Sequence, residues 1–197
     1  MTKVFKIVLF SVLCLCLMLI LKIITLKNVN YKRPRFLENK KVLVVYYSNS
    51  GHTKKIAENI RNVVGGDIKQ IELVEKYPAK RVAMSKIVKQ QMKENHLPAI
   101  EWLDISDYDV VFVGSPIWNG KISLPTKAFL STQDFEHKII VPFFTYSGGA
   151  MRGKISDEIY TITKNAKMLR AKFFFGNGIC LQKQQIMKWL NELSAEE

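Results

Sequence analysis

Cysteine is scarce in this chain. Its 197 residues hold three, and two of them, Cys14 and Cys16, lie in an apolar run, which leaves Cys180 alone in the remainder. No disulfide can form within that remainder, so a packed core must hold the fold, and a reducing compartment suits it. Acids are also short: 17 Asp and Glu face 30 Lys and Arg, for a net charge of +13. Ten glycines and six prolines are too few for a low-complexity chain, and 48% hydrophobic content excludes a disordered one. The three histidines, His52, His96 and His137, have no ligand spacing, which argues against a metal site. No Gly-Lys-Ser/Thr sequence supplies a Walker loop. The charge has no basic-aromatic cluster or nucleic-acid signature beside it, so no nucleic-acid partner is expected.

The positive excess is unevenly placed. Residues 1–40 carry eight basic side chains against the single acid Glu38, and the rest of the chain 22 against 16. Residues 7–21 are free of charge, and residues 23–26 continue the apolar stretch past Lys22. The whole is about twenty residues, enough to span a hydrocarbon core with Lys6 and Lys22 reaching toward headgroups. A cleaved signal peptide would need a small-x-small site, but the exit reads Ile24-Thr25-Leu26-Lys27-Asn28. The expectation is an uncleaved transmembrane helix in a membrane anchor over residues 1–27. A polar linker over 28–40, containing Pro34, and one globular domain over 41–197 follow. Lys22, Lys27, Lys32, Arg33, Arg35, Lys40 and Lys41 outnumber Lys3 and Lys6 across the span, which places the domain on the cytoplasmic side. A short lysine-bearing tail kept inside would export it instead.

Beyond residue 40 the chain alternates two patterns. Residues 42–47 (VLVVYY) are a continuous β-branched and aromatic run, as a strand covered on both faces requires. Ile56, Ala57, Ile60, Val63 and Val64 then share one helical face, and Gly65-Gly66 ends that helix. Residues 67–74 alternate like an edge strand, and 109–114, 138–144 and 171–175 read as further strands. Helices are expected over 156–165 and over 182–193, the latter with Ile186, Leu190 and Leu193 inward. Over 79–95, Met84, Ile87, Val88 and Met92 form a stripe among Lys80, Arg81, Lys86, Lys89 and Lys93. That pattern is a packed helix with a solvated basic face, or one lying on a membrane. The alternation predicts an α/β fold with a doubly wound five-stranded parallel sheet. Ligands of such sheets bind beyond the carboxyl ends of the strands, here at loops 48–53, 115–124 and 145–153.

The first of these loops, Ser48-Asn49-Ser50-Gly51-His52-Thr53, joins a strand to a helix and carries no lysine, arginine or acid. Unpaired backbone N–H groups at a helix start, with hydroxyls beside them, can hold a dianionic phosphate by neutral donors alone. A plain βα turn with Ser50 or Thr53 capping the helix is the competing reading. The second loop, Pro116-Ile117-Trp118-Asn119-Gly120, puts an indole at a strand end, where it can stack on a flat heterocycle or be a partly buried turn residue. The third, Thr145-Tyr146-Ser147-Gly148-Gly149, adds an aromatic, hydroxyls and two glycines. Together the three describe a mononucleotide site.

Ser48 to Thr53 resembles the phosphate-binding loop of flavodoxins, with hydroxyls at its first, third and sixth positions. The stretch from Tyr108 to Trp118 is similar to the segment leading into the flavin-stacking loop, and Thr145 to Gly149 resembles the third loop of the same family. The resemblance spans residues 41 to about 193. It implies strand order 2-1-3-4-5, FMN as cofactor, and one- or two-electron transfer without a catalytic side chain. It also implies that Ser48, Asn49, Ser50, Gly51, His52 and Thr53 bind the phosphate and that Pro116, Ile117, Trp118, Asn119 and Gly120 line the ring, with Trp118 stacking. Thr145, Tyr146, Ser147, Gly148 and Gly149 would approach the ring's other edge. Electron-carrier flavodoxins are usually acidic; this chain is basic, so an acidic redox partner or the membrane itself would meet it. Three functions follow: a membrane-tethered FMN electron carrier, an NAD(P)H-dependent reductase of a quinone or other small acceptor, or a docking module that has lost FMN. A receiver domain is excluded because Tyr46-Tyr47-Ser48 stands where its acids would be. A low-molecular-weight tyrosine phosphatase is excluded because the first loop lacks Cys and Arg. Asp104, Asp107 and Asp109 read as a solvated shoulder.

Overall fold

The computed structural model describes residues 10–18, 33–148, 155–176 and 182–195. The chain divides into two compact units, residues 1–32 and 33–197. In the first, residues 10–18 are helical, and Phe10, Leu13, Leu15 and Met18 are exposed. Among the described residues no helix is long and apolar enough to cross a membrane, and the rest of the expected span lies outside them.

The second unit begins earlier than the expected domain. A single 3-10 turn, Arg35–Leu37, sinks Phe36 and Leu37 into the core, so the last residues of the expected linker belong to the packed unit. Strand β1 (Val42–Tyr46) is buried at all five positions and lies between β2 (Asp67–Gln70) and β3 (Val110–Trp118) in parallel register. Val44 sits beside Ile68 on one side and Phe112 on the other. Strand β5 (Ile139–Tyr146) pairs in parallel with β3, and the outer edge is formed by β6 (Lys167–Met168) and β7 (Lys172–Phe175). Strand β2 alternates exposed and half-buried residues, as an edge strand does.

Two features correct the expected five strands in order 2-1-3-4-5. The main path is β2-β1-β3-β5-β6, within a sheet of seven. A short antiparallel strand, β4 (Lys121–Ile122), folds back on the end of β3 across Asn119-Gly120. The last position is broken in two between Met168 and Lys172. There the Arg170 carbonyl accepts a hydrogen bond from Trp189 Nε1 at 3.0 Å. Strand β3 also runs on to Trp118 rather than ending at Gly114.

Alternating side chains of the central strands feed two cores, the period-2 geometry of a pleated strand. On one face Val44, Phe112, Val141 and Phe143 meet α1 (His52–Val64) and α5 (Gln182–Ala195), with Trp189 buried edge-on against Phe112 and Phe174. An indole buried in this way removes about 150–250 Å² from water, at most about 4–6 kcal/mol at about 25 cal/mol per Å². On the other face Val45, Val113, Ile140 and Phe144 meet α3 (Leu124–Thr132) and α4 (Ile155–Ile162). Helix α3 is absent from the sequence expectations, although Ser123 at its N-cap and Pro125 in its first turn are ordinary helix-start signals. Helix α2 (Arg81–Lys93) follows β2 and the segment around Tyr77.

Candidate active-site cleft

The carboxyl ends of β1, β3 and β5 open into a cleft of about 940 Å³. Its first wall is the turn from β1 into α1. Gly51, with φ of 83°, is the N-cap of α1, and no side chain caps the helix. The first turn of α1 also lacks an acid, so no carboxylate of its own offsets its leading N–H groups and the positive end of its dipole. Ser48 Oγ is buried and has no hydrogen-bond partner. A buried hydroxyl without a partner is costly in a finished fold, and one that a ligand can satisfy suits a binding loop.

The other residues of this loop are arranged differently from the simplest expectation. Asn49, Ser50 and His52 line the cleft, and Ser50 Oγ lies 3.1 Å from His52 Nδ1 in a hydrogen bond. Ser48, Gly51 and Thr53 are not among the lining residues. Thr53 is 1% exposed, and its hydroxyl shares a 2.8 Å hydrogen bond with that of Thr145. Thr53 thereby fastens the first loop to the third.

All five residues from Pro116 to Gly120 line the cleft. Asn119 and Gly120 have φ of 49° and 77°, the paired positive values of a two-residue hairpin turn, so this dipeptide is what lets β4 return on β3. Below the turn, Ser115 Oγ accepts from Ser123 N at 2.9 Å, and Ser123 Oγ bonds Thr126 Oγ1 at 2.8 Å, all buried. Glu158 of α4 accepts from Ile122 N at 3.3 Å and from Lys127 Nζ at 3.1 Å, tying the hairpin to the two helices beside it. Trp118 is half-buried, not the open ring its position suggests. Tyr47 and Tyr77 meet it edge to face at 5.6 Å and 5.9 Å. Burial pushes the Tyr77 phenol up to about 12 and the Tyr47 phenol further, so both stay neutral beside the indole.

From the third loop Thr145, Tyr146 and Ser147 line the cleft, Gly148 does not, and Gly149 lies outside the described residues. Tyr146 packs edge-on against Phe175 at 5.5 Å, and Gly176, whose N–H donates to the Tyr146 carbonyl, completes that side.

The fourth wall is α2, expected from the sequence to be a packed helix with a solvated basic face, or one lying on a membrane. Arg81, Met84, Ser85 and Val88 line the cleft at i, i+3, i+4 and i+7, one face of a helix. Asn49 Nδ2 donates to Met84 Sδ at 3.1 Å, and Asn119 Nδ2 approaches Met92 Sδ at 3.8 Å. The helix thus spans from the first loop to the second. A stripe begun at Arg81 instead of Met84 was the available signal. Among the described residues no acid lines the cleft.

The model of the flavodoxin family matches residues 41–193. The chain belongs to the flavodoxin family. Among solved structures, this flavodoxin is similar to a flavoprotein of Bacteroides eggerthii, at TM-score 0.67 and 26% identity, over 79% of this chain and 99% of that one. It is also similar to a flavoprotein of Lactobacillus acidophilus solved in complex with FMN, at TM-score 0.60 and 25% identity, over 76% of this chain and 98% of that one. A curated relative from Cupriavidus metallidurans, an NAD(P)H dehydrogenase (quinone), is 34% identical over 93 residues, 46% of this chain. The match spans 45% of that relative's length.

The residues of the cleft fit FMN. An uncapped, acid-free helix start and an orphaned buried hydroxyl suit a phosphate at one end. Pro116, Ile117 and Trp118 offer an apolar surface for a flat ring at the other.

Proposed function

We propose that this flavodoxin holds FMN in the cleft and works in oxidoreduction. The observation that carries the reading is the uncapped start of α1, with the unpartnered Ser48 hydroxyl in the same loop, at a cleft that no carboxylate lines among the described residues. When bound, FMN supplies one- or two-electron redox chemistry, so no acid or base is required of the protein. The backbone donors of the first loop would hold its phosphate, and the Asn119-Gly120 hairpin and Trp118, braced by Tyr47 and Tyr77, would hold its ring. Helix α2 closes one side and limits water.

The finer reading is NAD(P)H-dependent reduction of a quinone or similar small acceptor. It draws on the Cupriavidus relative, whose matched stretch is less than half its length. A second reading, a carrier of electrons to an acidic protein partner, is favoured by the exposed Lys86, Lys89 and Lys93 of α2. We also propose that residues 7–26 tether the protein to a membrane, with the domain on the cytoplasmic side. The apolar run and the basic residues after it support this. The FMN-loaded full chain mixed with NADH or NADPH under anaerobic conditions separates the readings. Bleaching of the flavin absorption without an added reductase, followed by its return on adding a quinone, is expected for the reductase. No bleaching until a separate reductase is supplied would replace that reading with the carrier.

A further inference from the structure

The phosphate loop carries no cation of its own, yet α2 brings one to it. We infer that Arg81 clamps the phosphate of FMN from the α2 wall of the cleft and so makes the site prefer phosphorylated flavin over riboflavin. The inference rests on the FMN reading above and goes beyond it, because loops 48–53 and 145–149 supply only neutral donors.

The polarity of α2 places Arg81 at the correct end. Met84, one turn further along the helix, receives the amide of Asn49, a residue of the phosphate loop. Met92, near the far end of the helix, lies by Asn119 of the ring loop. Arg81 lines the same cleft as Asn49, Ser50 and His52 and shares a helical face with Met84 and Ser85. Among the described residues its charge has no protein counter-ion. No acid lines the cleft, the first turn of α2 has none, and Arg81 takes part in no ion pair among the described residues. Lys54 and Lys55 on α1 are exposed and do not line the cleft, so they do not substitute for it. A guanidinium presents a planar fork that meets two oxygens of a phosphate at once, and such charge-assisted bonds are about twice as strong as neutral ones. The neutral loop then positions the phosphate, and Arg81 neutralises it.

The test is a pair of titrations of the full chain, freed of flavin, with FMN and with riboflavin, read by quenching of flavin fluorescence. The unmodified chain is expected to bind FMN more tightly than riboflavin. Arg81→Ala is expected to weaken FMN about 10- to 100-fold while leaving riboflavin unchanged. Arg81→Lys should fall between, since a point charge keeps attraction but loses the fork. Rising ionic strength should weaken FMN more in the unmodified chain than in Arg81→Ala. Equal loss for both flavins in Arg81→Ala would overturn the inference, as would no change for either. Failure of the unmodified chain to bind either flavin would overturn the FMN reading itself, and this assignment with it.

Discussion

Ser48 and Thr53 are two hydroxyls of one loop with different surroundings. Thr53 Oγ1 is fully engaged with Thr145 Oγ1, whereas Ser48 Oγ is buried without a partner. The difference separates stability from binding. Ser48→Ala removes an unsatisfied polar atom, so urea unfolding of the flavin-free protein should show it unchanged within about 0.5 kcal/mol or slightly more stable. Its FMN affinity should fall about 10- to 150-fold, the value of one lost bond to a charged group. Thr53→Val keeps the shape but leaves the Thr145 hydroxyl buried and unpaired, which should cost about 1–3 kcal/mol of stability. Loss of stability in Ser48→Ala together with unchanged FMN binding would reverse the roles assigned to the two. Sequence alone could place both residues in one strand-to-helix loop, because hydroxyls at its first and sixth positions are visible there. Which hydroxyl is left without a partner depends on Thr145, ninety-two residues away, and no local pattern encodes that contact.

Elements were legible where one pattern dominated. The buried run of β1, the glycine stop of α1 and the alternation of β2 all follow from side chains within a few residues of each other. Helix α2 was legible as a helix but not as a wall of the site, since its mixed face of Arg81, Met84, Ser85 and Val88 resembles a solvated surface until Asn49 and Asn119 are brought to it. The hairpin of β3 and β4 depends on its surroundings too. Glu158 holds it by the Ile122 amide and by Lys127, whose side chain is 37% exposed, so the ion pair itself contributes under about 1 kcal/mol. The amide is the sensitive part. Glu158→Ala should speed hydrogen exchange at Ile122 about tenfold, and Glu158→Gln, which retains a carbonyl acceptor, should do so less. Exchange at Ile122 unaffected by both substitutions would show that β4 is held by its pairing with β3 alone.

On the scale of the whole molecule, the chain carries a packed α/β unit from Arg33 onward and a strongly basic, apolar N-terminal stretch. The unit is held by two cores, one on each face of the sheet, and needs no disulfide. The strand ends meet at a cleft whose lining contains a cation and no acid. That charge pattern suits an anionic cofactor. The central claim, that the cleft is an FMN site, is tested most directly by adding FMN to the flavin-free full chain and following flavin fluorescence to saturation. Quenching that ends at one FMN per chain, with the flavin retained through gel filtration, is the expected result; fluorescence that stays at the level of free FMN at every protein concentration would contradict it.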